Sequence, residues 1–117
     1  MPSIRCQKVA DLLKKEIGVM LQREIKDPLI GFVTVTDVEV SGDLRSAKVY
    51  VSIMGDSPQK QASLRGLERA RPFIQNRLGE KVRLRFMPIL RFILDESLEY
   101  GSRIDALIAQ LHPKPEN

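Results

Sequence analysis

The sequence predicts an α+β fold, a three-stranded sheet with helices packed on one face, and three observations carry that prediction. Apolar residues recur at helical spacing over residues 3–26 and again over 57–79. Two runs rich in β-branched residues flank the turn signal Ser41-Gly42-Asp43, and a third run alternates apolar with polar from Val82 to Leu94. The order is therefore helix, strand, strand, helix, strand, with a closing helix after residue 95. A chain of 117 residues can bury one core and is too short for two ordinary domains.

The first helix is expected from Ser3 to Lys26. Val9, Leu12, Leu13, Ile17, Met20, Leu21 and Ile25 make its apolar stripe, and Pro28 disfavours helical backbone at Asp27. Lys8 and Lys15 fall on the opposite, cationic face. Residues 32–40 and 44–54 read as a β-hairpin, with Ala47, Val49, Val51 and Ile53 on one side of the second strand. In the first strand the alternation slips between Val33/Val35 and Val38/Val40, as an extra residue near Asp37 would produce.

Ser57 is expected to cap the second helix, with Pro58 at its first position. Leu64, Leu67, Ala70, Ile74 and Leu78 keep one register across Pro72, so the proline reads as a kink between two helical arms and not as a stop. Gly79 reads as the terminator. From Val82 to Leu94 the alternation predicts one long strand, with Val82, Leu84, Phe86, Leu90, Phe92 and Leu94 facing one way and Arg83, Arg85 and Arg91 the other. Pro88 points to an edge position or a break in pairing. The closing helix is expected to carry Ser102 and Asp105 as caps ahead of Ile104, Leu107, Ile108 and Leu111.

Composition narrows the function. No apolar run approaches the roughly 20 residues that span a bilayer, and the N-terminal residues mix charge into their apolar spacing from Arg5 onward, so a cytoplasmic protein without a membrane partner is expected. One cysteine and one histidine leave no His/Cys metal cluster, and no cofactor is expected. His112 lies in the tail. There is no glycine-rich phosphate loop, and no nucleophile sits beside a base at a recognisable spacing. Asp37/Glu39 and Asp95/Glu96/Glu99 are the carboxylates a metal-dependent nuclease would need; at a turn and a helix start they read as caps and solubilising charges.

The net charge of +4 is unevenly spread: residues 58–91 carry nine Lys/Arg against two Asp/Glu, while residues 32–57 and 92–117 are net acidic. Lys60, Arg65, Arg69, Arg71, Arg77, Lys81, Arg83 and Arg85 are therefore the candidate nucleic-acid-binding residues, with Lys8 and Lys15 as additional candidates. Four phenylalanines, two tyrosines and no tryptophan disfavour a base-stacking platform and point to recognition of backbone and shape. Arg69→Glu with Arg71→Glu is expected to weaken binding and to leave the melting temperature almost unchanged.

"EIKDPLIGFVTVTDVEVSGDLRSAKVYVSIMG" (24–55), preceded by an amphipathic helix and followed by "RLRFMPILRFILDES" (83–97), resembles the ribosome-binding factor A family of bacterial small-subunit maturation factors, over about residues 4–111. The resemblance implies a type II KH-like domain over residues 1–111 and a short flexible tail over 112–117. It implies two helices joined at a kink with an Ala-x-Gly pattern in place of the usual nucleotide-clamping loop; here that position reads Ala70-Arg71-Pro72, with proline where the family has glycine. The implied function is that of a monomeric, non-catalytic assembly factor with no small-molecule substrate. Such a factor binds the free 30S subunit through 16S rRNA, in its 5′ region, and assists late maturation and processing of the 5′ end, so the resemblance makes RNA the nucleic acid that the candidate cations meet. The alternative is a KH-like adaptor for nucleic acids in general or for acidic proteins.

Overall fold

Ser3 opens the first helix by accepting the amide N–H of Cys6 on its hydroxyl oxygen at 3.1 Å. The computed structural model describes residues 3–96, so the predicted closing helix with Ser102 and Asp105, and the 112–117 tail, lie outside the described residues. Helix α1 runs Ile4–Arg23 and buries Leu13, Ile17 and Met20 completely. It ends three residues before the predicted Lys26: Glu24 caps it through Met20 O, and Asp27 already accepts the Leu29 amide at 2.9 Å in a local turn.

Strands β1 (Val33–Val40) and β2 (Ser46–Ile53) pair antiparallel. The register jumps between Val35 and Asp37, leaving Thr36 as the extra residue, so the predicted bulge is present. It brings the odd-numbered Val33 and Val35 and the even-numbered Val38 and Val40 to the same, core-facing side. The turn requires one left-handed residue and places Leu44 there, at φ 63°. Strand β3 (Ile89–Leu94) lies parallel to β2, giving the order β1-β2-β3.

Strand β3 is much shorter than the alternation predicts. Residues 83–88 are irregular, and Phe86, expected in the core, is 52% exposed. Pro88 is the reason: it has no amide to donate, so pairing starts one residue later, where the Ile89 N–H reaches Arg45 O at 2.9 Å. Beyond it Leu90 and Phe92 face the core as predicted.

Helix α2 runs Ser57–Lys81, 25 residues. Its cap is Asp56 and not Ser57: Asp56 Oδ1 accepts the Gln59 amide at 2.9 Å, and Gln59 Oε1 accepts the Asp56 amide at 2.7 Å. The helix continues across Pro72, as its register predicts, and Gly79, read as the terminator, lies inside it. Packing explains both. Leu67, Ile74 and Leu78 are fully buried on the two sides of an exposed Pro72, and each such side chain contributes about 1.5–3 kcal/mol, enough to offset the roughly 3 kcal/mol of an interior proline. Both helices cover the sheet face that carries Val38, Val40, Ala47, Val49, Val51, Leu90 and Phe92, while Glu39, Lys48 and Arg91 lie exposed and cross-paired on the other. Among the described residues no helix is long and apolar enough to cross a membrane.

Candidate nucleic-acid interface

Ser63, Gly66 and Arg69 stand three residues apart on α2 and share a face, and that face holds the 27–31 segment. The Ser63 hydroxyl oxygen accepts the Gly31 amide at 3.1 Å and the hydroxyl lies 3.3 Å from Leu29 O. At Gly66 the segment comes so close that a Cβ would sit 2.6 Å from Ile30 Cγ1. Arg69 closes the seam with a two-pronged bond to Asp27, Nη2 to Oδ1 at 2.7 Å and Nε to Oδ2 at 3.1 Å. That bond, helped by the Leu29 amide, holds the Asp27 carboxyl below the usual aspartate range.

Two helical turns further, Arg77 donates to Glu24 Oε1 from Nη2 at 2.5 Å and from Nε at 2.9 Å, and Lys81 reaches Glu24 Oε2 at 3.2 Å. Glu24 is lowered by hydrogen bonds first from Arg77 and then from Lys81, and Arg77 is raised by Glu24 in return. Arg77 also pairs with Glu80 at 3.0 Å. Arg71 pairs with Glu68 at 3.2 Å and donates to Leu90 O at 3.2 Å, while Gln75 Oε1 accepts the Leu90 amide at 3.1 Å. These two side chains saturate backbone groups of β3 that β2 does not reach.

The candidate cations therefore separate. Arg69, Arg77 and Lys81 carry ion pairs that tie α2 to the 24–27 segment, while Arg71 pairs with Glu68 within α2 and reaches β3 through Leu90 O. Lys60 is 9% exposed and engaged within the protein. Arg65, Arg83, Arg85, Lys8 and Lys15 are exposed and meet no carboxylate among the described residues. Lys15 lies with Lys14 along a groove between α1 and β1, floored by Val33 and Val35.

A second basic cluster was not legible from the charge count. The guanidinium carbons of Arg45 and Arg85 lie 5.6 Å and 5.5 Å from the centre of the Phe86 ring, and Arg5 lines the cavity beside them. Arg45 sits in an acidic stretch of sequence and Phe86 on a predicted core face; only Pro88, by ending the strand early, could have signalled that Phe86 is free.

Of the carboxylates considered for metal binding, Asp37 and Asp95 are engaged by the fold, and Glu99 lies outside the described residues. Asp37 Oδ1 accepts the Val38 amide at 2.9 Å, and Asp95 Oδ2 accepts the Thr36 hydroxyl at 2.6 Å, pinning the bulge to the end of β3. Among the described residues no three His, Cys, Asp or Glu side chains come together around a common point.

The family model for ribosome-binding factor A matches residues 5–108. The crystal structure of ribosome-binding factor A from Thermus thermophilus superposes with a TM-score of 0.68 at 28% identity, covering 76% of this chain and 94% of that one. The solution structure of a Thermotoga maritima protein described as a ribosome binding factor A gives 0.70 at 32% identity, covering 80% and 89%. A Thermus thermophilus ribosome binding factor A model, fitted into a cryo-EM map of a 30S complex, gives 0.63 at 29% identity, covering 74% and 91%.

Proposed function

This chain belongs to the ribosome-binding factor A family, and from that premise we propose that it binds the free 30S subunit through 16S rRNA and assists late maturation of that subunit. The finer reading is that it favours the rRNA conformation from which the 5′ end is processed, acting in the cytoplasm as a monomer and without catalysis. One observation carries the RNA-binding part: Arg65, Arg83, Arg85, Lys8 and Lys15 are exposed and unneutralised within the described residues. Cations without carboxylate partners are available to phosphates, and each neutralised phosphate steepens the salt dependence of binding. Arg69, Arg71, Arg77 and Lys81 contribute in a second way, by fixing the helix from which Arg65 projects; Lys60 contributes from a buried position.

The α+β arrangement supports the KH-like assignment of residues 1–111, with 112–117 as a tail. Assistance without chemistry needs only differential affinity: a factor that binds one rRNA conformation more tightly shifts the population toward it by that difference. A relative placed in a 30S complex supports the same target.

Sedimentation of a cell extract tests this reading. The protein is expected in the free small-subunit fractions and depleted from full ribosomes; absence from free small subunits, or equal abundance on both, would overturn it. Competition at physiological salt between 16S rRNA and duplex DNA separates it from the general adaptor, which would bind both equally well.

A further inference from the structure

The end of the molecule formed by the start of α1, the β1–β2 turn and the 83–88 segment holds a cavity of about 160 Å³. That is close to the roughly 150 Å³ that accommodates one benzene ring. Its floor is apolar, from Val9, Leu44 and Pro88, and its rim carries Arg5, Arg85 and the exposed Phe86. Arg45 does not line the cavity but lies over the same ring.

Three features set this place apart from a solvated basic surface. Arg5, Arg45 and Arg85 have no ion pair among the described residues, whereas the single carboxylate lining the cavity, Asp43, is committed to the turn. Asp43 Oδ1 accepts the Ser41 hydroxyl at 2.7 Å and the Arg45 amide at 3.1 Å. The backbone that presents the arginine is also fixed: Arg45 O accepts the Ile89 amide at 2.9 Å, and Leu44 is held at φ 63°, a conformation costly for a leucine. Finally, Phe86 keeps half its surface in solvent although an apolar interior is adjacent, and the groups over its ring are the mobile-ended side chains of Arg45 and Arg85, which a planar partner could replace.

An exposed ring, an apolar slot of one-ring size and three unpaired guanidiniums match the parts of one unstacked nucleotide with its flanking phosphates. We propose that this end is a pocket for a single unpaired nucleotide of RNA, its base entering the slot against Phe86 and its phosphates meeting Arg5, Arg45 and Arg85. The proposal rests on the RNA-binding reading above and adds to it a preference for single-stranded over duplex RNA. An acidic peptide would use the arginines but has no use for the slot, and duplex RNA keeps its bases stacked and out of reach.

Tryptophan placed at position 86 tests the pocket, because the chain has no other tryptophan to report. With Phe86→Trp, a single-stranded uridine 12-mer is expected to quench the fluorescence, and neither a 12-base-pair RNA duplex nor polyglutamate at equal charge should do so. Phe86→Ala is expected to lower affinity for the 12-mer roughly tenfold, the scale of one lost base stack. Phe86→Leu, which keeps an apolar group without the π face, should lose nearly as much with an unchanged melting temperature. Arg45→Gln and Arg85→Gln are each expected to reduce the log–log salt slope by about 0.7. Equal quenching by duplex or polyglutamate, or full affinity in Phe86→Ala while wild type binds the 12-mer, would overturn the pocket and leave the 30S reading standing. Failure of wild type to bind either RNA or the 30S subunit would overturn both.

Discussion

The arginines of α2 and the arginines around Phe86 have the same chemistry and opposite employment. Along α2, Arg69, Arg77 and Lys81 each meet a carboxylate of the 24–27 segment, and Arg71 holds Glu68 and a β3 carbonyl. At the other end Arg45 and Arg85 meet a phenylalanine ring, and the nearby Asp43 is used by the turn. Charge density in a sequence therefore measures supply and not availability. A helix can be strongly basic and present little free charge, and a hairpin turn in an acidic stretch can present an open arginine.

The contrast predicts that changes along α2 alter stability, whereas changes around Phe86 alter binding. The largest effect is expected at the seam: Gly66→Val forces a side chain into Ile30 and should destabilise by about 2–3 kcal/mol, read as a lower midpoint in chemical denaturation. If Gly66→Val melts like wild type, the 27–31 segment is not anchored on α2.

Pro72→Ala runs in the opposite direction. It restores a helical hydrogen-bond donor at an exposed position and should stabilise by about 1–2 kcal/mol, less than the roughly 3 kcal/mol seen for an unsupported helix because packing already holds both arms. A loss of stability would show that the proline shapes the helix its neighbours need. Restoring the family's glycine, Pro72→Gly, should gain less than alanine does.

Acid should loosen the same seam next. Glu24 and Asp27 have folded-state values below their ordinary 4.5 and 3.8, so their ion pairs stabilise the fold fully above those values. That contribution is lost as pH falls from about 4.5 through the depressed values, and a thermal-melt series across this window should show a steeper decline in wild type than in a Glu24→Gln, Asp27→Asn variant. Parallel pH profiles would remove these two carboxylates from the stability of the seam.

The smallest stability effect is expected at the other end. Arg45→Gln with Arg85→Gln should change stability by no more than about 0.5 kcal/mol while weakening RNA binding, and a clear drop in melting temperature would erase the distinction between the two regions.

Much of the architecture was readable from residue order. The slip between Val35 and Val38 betrayed the bulge, the register of Leu67, Ile74 and Leu78 carried the helix past its proline, and the 24–55 stretch alone pointed to the family. The errors lie where local signals meet a contest between partners. Asp56 and Ser57 are both competent caps, and the capping box with Gln59 favours the first. Val82, Leu84 and Phe86 alternate as a strand does, but an alternation does not reveal whether a neighbour's amides are available to pair with it.

Periodicity and turn chemistry act within a few residues, so residue order was enough to set the order of the elements, most of their core stripes and the basic excess of the 58–91 stretch. Which cations stay free depends on carboxylates far away along the chain. Glu24 is 53 residues from Arg77, and Asp27 is 42 residues from Arg69. It took the folded chain to settle that α2 uses its arginines to hold the loop it packs against, while Arg45 and Arg85 lie over Phe86 and Arg5 lines the cavity beside them. An ion pair is set by distance in space, and the fold alone supplies that distance.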